Sequence, residues 1–167
     1  MREKLTKSDV EKIKQEIEHR KLVVRQDAIE AVKEARAQGD LSENFEYYAA
    51  KRDKNKNESR IRYLERMLKT AEVIDDSSNE DEVGINNTIE LYFEDDEETD
   101  TYRLVTSIRG DSMRNLISIE SPIGKAIIGH KEGDRVIVKV NDDISYPVII
   151  KSIRNTTDDS DDSIKSF

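Results

Sequence analysis

Hydrophobic positions in the first 76 residues recur at spacings of three, four or seven along two runs that contain neither Pro nor Gly. The first run lies between Ser8 and Gly39, and the second extends from about Glu43 to Ile74. This spacing places the apolar residues on one face of an α-helix. Ser8 and Glu11 have the spacing of a capping box, which predicts that the first helix starts there. The apolar positions are Val10, Ile13, Ile17, Val24, Ala28, Ala31 and Ala35, followed by Ile61, Leu64, Leu68 and Ala71.

Each run of about 30 residues would form a helix roughly 45 Å long at 1.5 Å per residue. So narrow an apolar stripe needs a partner to bury it, and only a few residues join the two runs. We therefore predict an antiparallel coiled-coil hairpin over residues 1–76, with its tip at 39–44. The residues near the tip are small or polar, as at Asn55 and Asn57. Such thin apolar packing favours an exposed, functional tip.

The pattern changes after the polar stretch 77–84, which we interpret as a linker. Five short segments rich in β-branched residues follow, separated by turn-forming or acidic residues. Ser121, Pro122 and Gly129 occur in the order expected for the N-cap, first position and end of one short helix. Residues 85–155 are therefore predicted to form a small antiparallel β-sheet domain with one short helix, so the fold class is α+β. The segment 156–167 is too polar to bury anything and is predicted to be disordered.

Composition and charge narrow the functional classes. Charged residues make up 39% of the 167 residues and aromatic residues 5%, and Cys is absent, which excludes disulfides and thiolate chemistry. Residues 1–76 contain 18 basic and 17 acidic residues, a net charge of +1, whereas residues 77–167 contain 10 and 20, a net charge of −10. Such acidity argues against a general nucleic-acid surface in the second half. No segment has the apolar length of a membrane span or the core of a signal peptide, so we expect a cytoplasmic protein without a membrane partner.

The tip sequence GDLSEN (39–44) admits two interpretations. Asp40 and Glu43 can serve as the N-cap and first-turn acid of the second helix, with Gly39 ending the first helix. The same two carboxylates could instead hold a metal ion at an exposed tip. Spacing alone favours the capping role, because D-x-x-E before a helix is common.

Four blocks of the sequence stand out beside the tip itself. They are EARAQGDLSENFEYYAAK (34–51), the preceding IEAVKEAR (29–36), RIRYLERMLKTAEVID (60–75) and SPIGKAIIGHKEGDRVIV (121–138). In this order they resemble the bacterial Gre transcript-cleavage factors, and most nearly their A-type. The resemblance covers about residues 5–155 and leaves the acidic tail outside it. It implies a coiled-coil hairpin followed by an FKBP-like C-terminal domain, which docks at the rim of the RNA polymerase secondary channel.

This resemblance also implies a function. The hairpin would enter the secondary channel of bacterial RNA polymerase and help the polymerase's own active site to cut the extruded 3′ RNA of a backtracked complex. The protein would not be an enzyme by itself, and we expect a monomer. Asp40 and Glu43 match the catalytic acids, which would hold a second Mg²⁺ shared with the polymerase active site and orient the attacking water. The protein alone would bind no cofactor. The supporting tip positions are Ser42, Leu41 and Asn44.

A basic patch on the hairpin is implied as well. The matching positions are Arg36 and Lys51, which are expected to contact RNA phosphates. We interpret most other basic residues between Lys51 and Lys69 as a solvated helix face. Tyr47 and Tyr48 can either stack on RNA or pack across the hairpin.

Phe45 departs from the A-type pattern, in which a small residue usually follows the tip. Two alternatives remain open beside transcript cleavage. The first is a Gre-like regulator that occupies the secondary channel and inhibits or modulates polymerase without cleavage. The second is a coiled-coil adaptor whose α+β domain binds another protein and whose tip acts only as a cap. The retained pair Asp40 and Glu43 favours cleavage over inhibition.

Overall fold

The computed structural model describes residues 2–39, 44–77, 79–155 and 159–166. The chain divides into two compact units. Ser8–Glu72 makes up most of the first unit, and Lys4–Lys7 with Val73–Ser166 makes up the second. Within the described ranges, no helix combines the length and the apolar character that crossing a membrane requires.

Two long helical segments build the first unit. Helix α1 (Lys7–His19) continues through a π-helical turn (Arg20–Val24) into α2 (Arg25–Ala37), and α3 (Phe45–Thr70) returns alongside them. The predicted antiparallel helical hairpin is therefore confirmed. Its buried apolar side chains are Ile13, Ala35, Ile61, Leu64 and Met67.

The start and the middle of the first helical segment differ from the sequence prediction. Helix α1 begins at Lys7, so Ser8 lies inside the first turn and the capping box predicted there is wrong. Within the π-helical turn, the Arg25 N–H donates to the Arg20 carbonyl five residues earlier. The inserted residue shifts the apolar stripe around the helix, and Leu22 and Val23 are 66% and 46% exposed.

The strands are β1 (Lys4–Leu5), β2 (Glu72–Val73), β3 (Thr88–Phe93), β4 (Glu98–Val105), β5 (Leu116–Ser118), β6 (Arg135–Lys139) and β7 (Ser145–Arg154). The second unit contains a five-stranded sheet with strand order β5-β4-β3-β7-β6, and β1 and β2 lie outside it. Three of the four strand pairs in this sheet are antiparallel, as predicted, whereas β4 and β5 are parallel. The chain between β4 and β5 forms two 3₁₀ turns, Ser107–Arg109 and Ser112–Arg114, which let it return so that β5 can run in the same direction as β4.

The short helix α4 (Pro122–Ile127) packs against β6 and confirms the predicted signals. Ser121 Oγ accepts the Gly124 N–H at 3.0 Å, and Pro122 occupies the first helical position. Gly124 has no room for a side chain, because a Cβ there would lie 2.0 Å from the Ser118 carbonyl oxygen. The core on this side of the sheet consists of Val83, Ile85, Ile89, Leu91, Leu104, Ile119, Ile127, Val136, Val138, Val148 and Ile150.

Two predicted boundaries change. Val83 is 2% exposed and belongs to this core, so the end of the segment predicted as a linker, 77–84, is part of the folded domain. The tail prediction also fails for the described residues 159–166. Asp162 is buried and ion-paired with Arg109, and the Lys165 N–H donates to the Ile108 carbonyl. An acidic segment can bury a carboxylate when guanidinium groups neutralise it.

Candidate functional site

The two predicted catalytic acids fall in the one gap at the hairpin tip. Asp40, Leu41, Ser42 and Glu43 lie outside the described residues. The residues on either side are described. They determine how the chain leaves α2 and how it enters α3.

Gly39 marks the exit from α2. The helix ends at Ala37, and the Gln38 N–H donates to the Ala35 carbonyl at 3.3 Å. Gly39 then has a φ of 118°, a conformation that residues with a Cβ rarely adopt. The prediction that Gly39 ends the first helix is confirmed.

Asn44 is the N-cap of α3. Its Oδ1 accepts the Tyr47 N–H at 3.0 Å, and its Nδ2 donates to the Ala35 carbonyl at 2.5 Å. One side chain therefore caps the second helix and ties it to the end of the first. The prediction that Asp40 is the N-cap is wrong, because α3 begins at Phe45. Asn serves this position better, since its amide is both an acceptor and a donor.

Arg36 lies against Tyr47, and Lys51 follows Tyr47 by four residues, about one turn of α3. Arg36 Nη2 donates to the Tyr47 hydroxyl at 3.3 Å, and its guanidinium carbon lies 5.5 Å from the ring centroid. The hydrogen bond from Arg36, helped by the charge of Lys51, lowers the pKa of Tyr47 below its ordinary value. The structure thus brings the two predicted basic residues to one exposed corner.

The aromatic residues next to the tip differ in their contacts and in their exposure to solvent. Tyr47 lies against Arg36, and its ring contacts that of Tyr48 edge-on at 5.5 Å. Tyr48 remains 50% exposed and Phe45 85% exposed. Packing across the hairpin therefore accounts for Tyr47 only.

Below the tip, a group of polar side chains joins the first helical segment to α3 by hydrogen bonds. The sequence patterns do not predict this group. Glu16 accepts hydrogen bonds from Arg20 at 2.7 Å and from Arg60 at 2.9 Å. Arg20 also donates to Asn57 Oδ1 at 3.0 Å, and the Asn57 amide returns a bond to the Arg20 carbonyl. We call Glu16, Arg20, Asn57 and Arg60 the polar lock.

The polar lock carries charge and is shielded from solvent to different degrees, with Glu16 and Arg20 only partly buried. Asn57 and Arg60 are each 4% exposed. Burial pushes the pKa of Glu16 upward, but the hydrogen bonds from Arg60 and Arg20 outweigh it and hold that pKa below its ordinary value. Asn57 therefore has a structural role, and the polarity of this region is not by itself a sign of function. The i, i+4 spacing of Glu16 and Arg20 was the one signal visible in the sequence.

Models of known protein families match both halves of the chain. The family model "Transcription elongation factor, N-terminal" matches residues 3–73, and "Transcription elongation factor, GreA/GreB, C-term" matches residues 77–155. Transcription elongation factor GreA of Thermoanaerobacter pseudethanolicus is 47% identical over 137 residues, which cover 81% of this chain and 87% of the relative. The chain belongs to the GreA/GreB family of transcription elongation factors.

Other members of the GreA/GreB family match over an even larger share of the chain. The GreA of Mycoplasma mycoides subsp. mycoides is 43% identical over 154 residues, which cover 90% of this chain and 96% of the relative. Among solved structures, the GreA factor homolog 1 (Gfh1) protein of Thermus thermophilus is 26% identical, with a TM-score of 0.43 and coverage of 93% of this chain and all of that one. The two family models and the GreA relatives confirm, at the level of the family, the resemblance drawn from the tip and its flanking blocks.

Proposed function

We propose that this Gre-family elongation factor inserts its hairpin into the secondary channel of bacterial RNA polymerase and stimulates cleavage of backtracked RNA. The bond-breaking active site belongs to the polymerase, so the protein is not an enzyme on its own. Its contribution is a pair of carboxylates, Asp40 and Glu43, delivered at the end of the hairpin.

The role of Asn44 is the observation that supports this proposal most directly. Asp40 and Glu43 have a sufficient structural explanation only if one of them caps α3. Asn44 caps that helix and also bonds to the Ala35 carbonyl. Helix capping therefore does not explain why Asp40 and Glu43 are acids.

The donor set of the tip fits a magnesium ion. Mg²⁺ prefers oxygen ligands in octahedral geometry and keeps several waters, so two carboxylates can complete a site but cannot fill one. Asp40 and Glu43 would hold the ion jointly with the polymerase active site. When bound, such an ion supplies charge stabilisation for phosphodiester hydrolysis. In this proposal the tip acids also accept a hydrogen bond from the attacking water and orient it.

The corner formed by Arg36 and Lys51 supports an RNA contact next to these acids. Both residues lie on the hairpin close to Tyr47, and Lys51 is exposed. Phosphates of the extruded 3′ RNA would be attracted to this corner, with a strength that falls as the salt concentration rises. The acidic second half of the chain offers no comparable attraction for RNA.

The proposal is tested on stalled, backtracked bacterial RNA polymerase that carries end-labelled RNA. We expect the wild-type protein to release short 3′ fragments. Asp40→Asn and Glu43→Gln should each lower the cleavage rate by about 10²-fold, equivalent to about 2.7 kcal/mol of lost transition-state stabilisation. Gel electrophoresis of the labelled RNA measures the rate.

Glu46→Gln is the matched control, because Glu46 is an exposed acid in the first turn of α3. It should cleave at the wild-type rate, and all variants should still bind polymerase in a pull-down. Binding followed by inhibition of RNA synthesis without fragments would favour the regulatory alternative. Failure of the wild-type protein to bind polymerase would reject both channel-binding functions.

A further inference from the structure

Phe45 is a large apolar residue whose side chain is almost fully exposed to solvent. It is the first residue of α3, and 85% of its surface is open to solvent. The whole chain has only nine aromatic residues, six Tyr and three Phe, and three of the nine lie between Phe45 and Tyr48. Leaving a Phe ring in water forgoes about 2 kcal/mol that burial would provide.

Tyr48 continues the same face of the helix. It follows Phe45 by three residues, a spacing that places two side chains side by side on a helix surface. Half of Tyr48 is exposed, and its ring is supported edge-on by that of Tyr47. Phe45 and Tyr48 together form what we call the aromatic face.

The backbone beneath the aromatic face is fixed. The Asn44 side chain accepts the Tyr47 N–H, and the Asn44 carbonyl accepts the Tyr48 N–H at 3.3 Å. The bond from Asn44 to the Ala35 carbonyl attaches this turn to α2. The rings therefore extend from an ordered helix start, so little entropy is lost when they bind a flat partner.

Basic side chains lie one to two helical turns from the aromatic face, and the exposed acid Glu46 lies between Phe45 and Tyr47. Arg52 is exposed and lies seven residues after Phe45, two turns further along the same side of the helix. Lys51 is also exposed, and Arg36 reaches the neighbouring Tyr47. Rings interleaved with basic side chains are the pattern that binds single-stranded nucleic acid, because bases stack on the rings while cations attract the phosphates. The cations beside the rings, Arg36, Lys51 and Arg52, favour RNA over an apolar protein surface as the occupant.

We propose that Phe45 and Tyr48 stack on bases of the extruded RNA, so that the tip holds the RNA by its bases as well as by its phosphates. This inference rests on the proposed function, since it takes the RNA of the backtracked complex as the ligand. Stacking tolerates any base, and the contact therefore has no sequence preference. Phe45 acts as a positioning residue, which fixes the RNA next to Asp40 and Glu43.

The direct test uses a fluorescent base and does not depend on cleavage. RNA containing 2-aminopurine in its extruded segment is placed in a backtracked polymerase complex. An Asp40→Asn, Glu43→Gln double variant is then added, so that the probe is not cut away. We expect its binding to quench the fluorescence, and we expect the additional change Phe45→Ala to abolish most of that quenching while polymerase is still bound. Equal quenching with and without Phe45 would overturn the proposal.

A second measurement separates stacking from an apolar contact with the channel wall. On ordinary RNA, Phe45→Ala should slow cleavage by about 5- to 150-fold, the loss expected when one stacked base is released. Phe45→Trp should restore the rate, whereas Phe45→Leu, which is apolar but not aromatic, should not.

RNA with abasic residues in the extruded segment completes this experiment. There, the wild-type protein should be as slow as Phe45→Ala, because no base remains to stack. If Phe45→Ala still slows cleavage on abasic RNA, or if Phe45→Leu is fully active on ordinary RNA, the ring contacts protein and the stacking proposal is rejected. Absence of all cleavage by the wild-type protein would reject the proposed function, while the fluorescence result would still decide the stacking.

Discussion

Asp162 illustrates how one residue can order a segment that its composition marks as unstructured. Its carboxylate is buried and is ion-paired with Arg109, at 2.8 Å, and with Arg103. Arg109 is also buried, and it donates a further hydrogen bond to Asn86 at 2.8 Å. A buried ion pair is often no more stabilising than apolar residues of the same volume would be. Removing one partner is nevertheless costly, because the other charge is then buried without a counterion.

The change Asp162→Asn should therefore destabilise the second unit. We expect a loss of about 3 kcal/mol in the free energy of unfolding, the low end for a broken buried pair, because the tail can detach and let water reach Arg109. Thermal or urea unfolding of the full chain measures it.

Asp161→Asn is the control for this experiment. Asp161 is exposed, and its backbone carbonyl accepts a hydrogen bond from Arg114 at 3.1 Å, a contact that the change of side chain leaves in place. The Asn side chain should leave stability within about 0.5 kcal/mol of the wild type. Similar losses for the two variants would show that general acidity of the tail, and not the pair with Arg109, provides the stabilisation.

Glu16 gives the polar lock a defined response to pH. Its pKa is lower in the folded protein than its ordinary value of 4.5, because two arginines donate hydrogen bonds to it. A lowered folded-state pKa means that the stabilisation is complete above the ordinary value and is lost as the pH falls through the folded value. Glu16→Gln should cost about 1–2 kcal/mol at pH 7, a figure reduced for partial solvent exposure.

The difference between the wild type and Glu16→Gln should therefore shrink as the pH falls below about 4.5. Urea unfolding followed by helical circular dichroism at several pH values measures this difference. Glu18→Gln, an exposed change in the same helix, should show a small difference at every pH. A cost for Glu16→Gln that stays constant down to strongly acidic pH would contradict the role given to the two arginines.

At the scale of elements, the entry into α3 depends on one side chain with two functions. Asn44→Ala should remove the cap and the bond to the Ala35 carbonyl, and should cost about 1 kcal/mol or somewhat more. Asn44→Asp keeps an acceptor for the Tyr47 N–H but loses the donor to Ala35, so its cost should be smaller.

Hydrogen exchange at the Tyr47 amide separates these effects. Exchange should be much faster in Asn44→Ala and nearly unchanged in Asn44→Asp. Asn55→Ala, an exposed change within α3, should alter neither exchange at Tyr47 nor stability by more than about 0.5 kcal/mol. Fast exchange in both Asn44 variants would mean that the bond to α2, not the cap, protects this turn.

A helix start is predictable from the sequence when one capping residue stands out. It is not predictable when several possible caps lie close together. Ser121 and Pro122 predict the start of α4 correctly, because a cap and its helix are adjacent in the sequence. The tip was harder, since Asp40, Ser42 and Asn44 are all competent caps within five residues. Spacing cannot choose among them. Only the added bond to the Ala35 carbonyl, nine residues away, favours Asn44.

At the scale of the whole molecule, the boundary between helical and sheet-forming sequence was visible, while the long-range ion pairs were not. Glu16 meets Arg60 across 44 residues and Arg109 meets Asp162 across 53. In a chain with 65 charged residues, 28 basic and 37 acidic, very many such pairs are conceivable. Sequence patterns show which residues are charged, but the fold decides which few are buried together.

The π-helical turn at Arg20–Val24 has a geometric consequence for the hairpin. Each residue of an α-helix advances the chain by about 100° around its axis, so one inserted residue changes the angular phase of everything after it. Arg25 follows the turn and forms two 2.9 Å bonds with Glu58, whereas Glu16 precedes it and meets Arg60. The π-helical turn therefore fixes the rotation of α2 relative to α1 about the helix axis. Its five residues set the direction in which the far end of the hairpin faces when the near end is held.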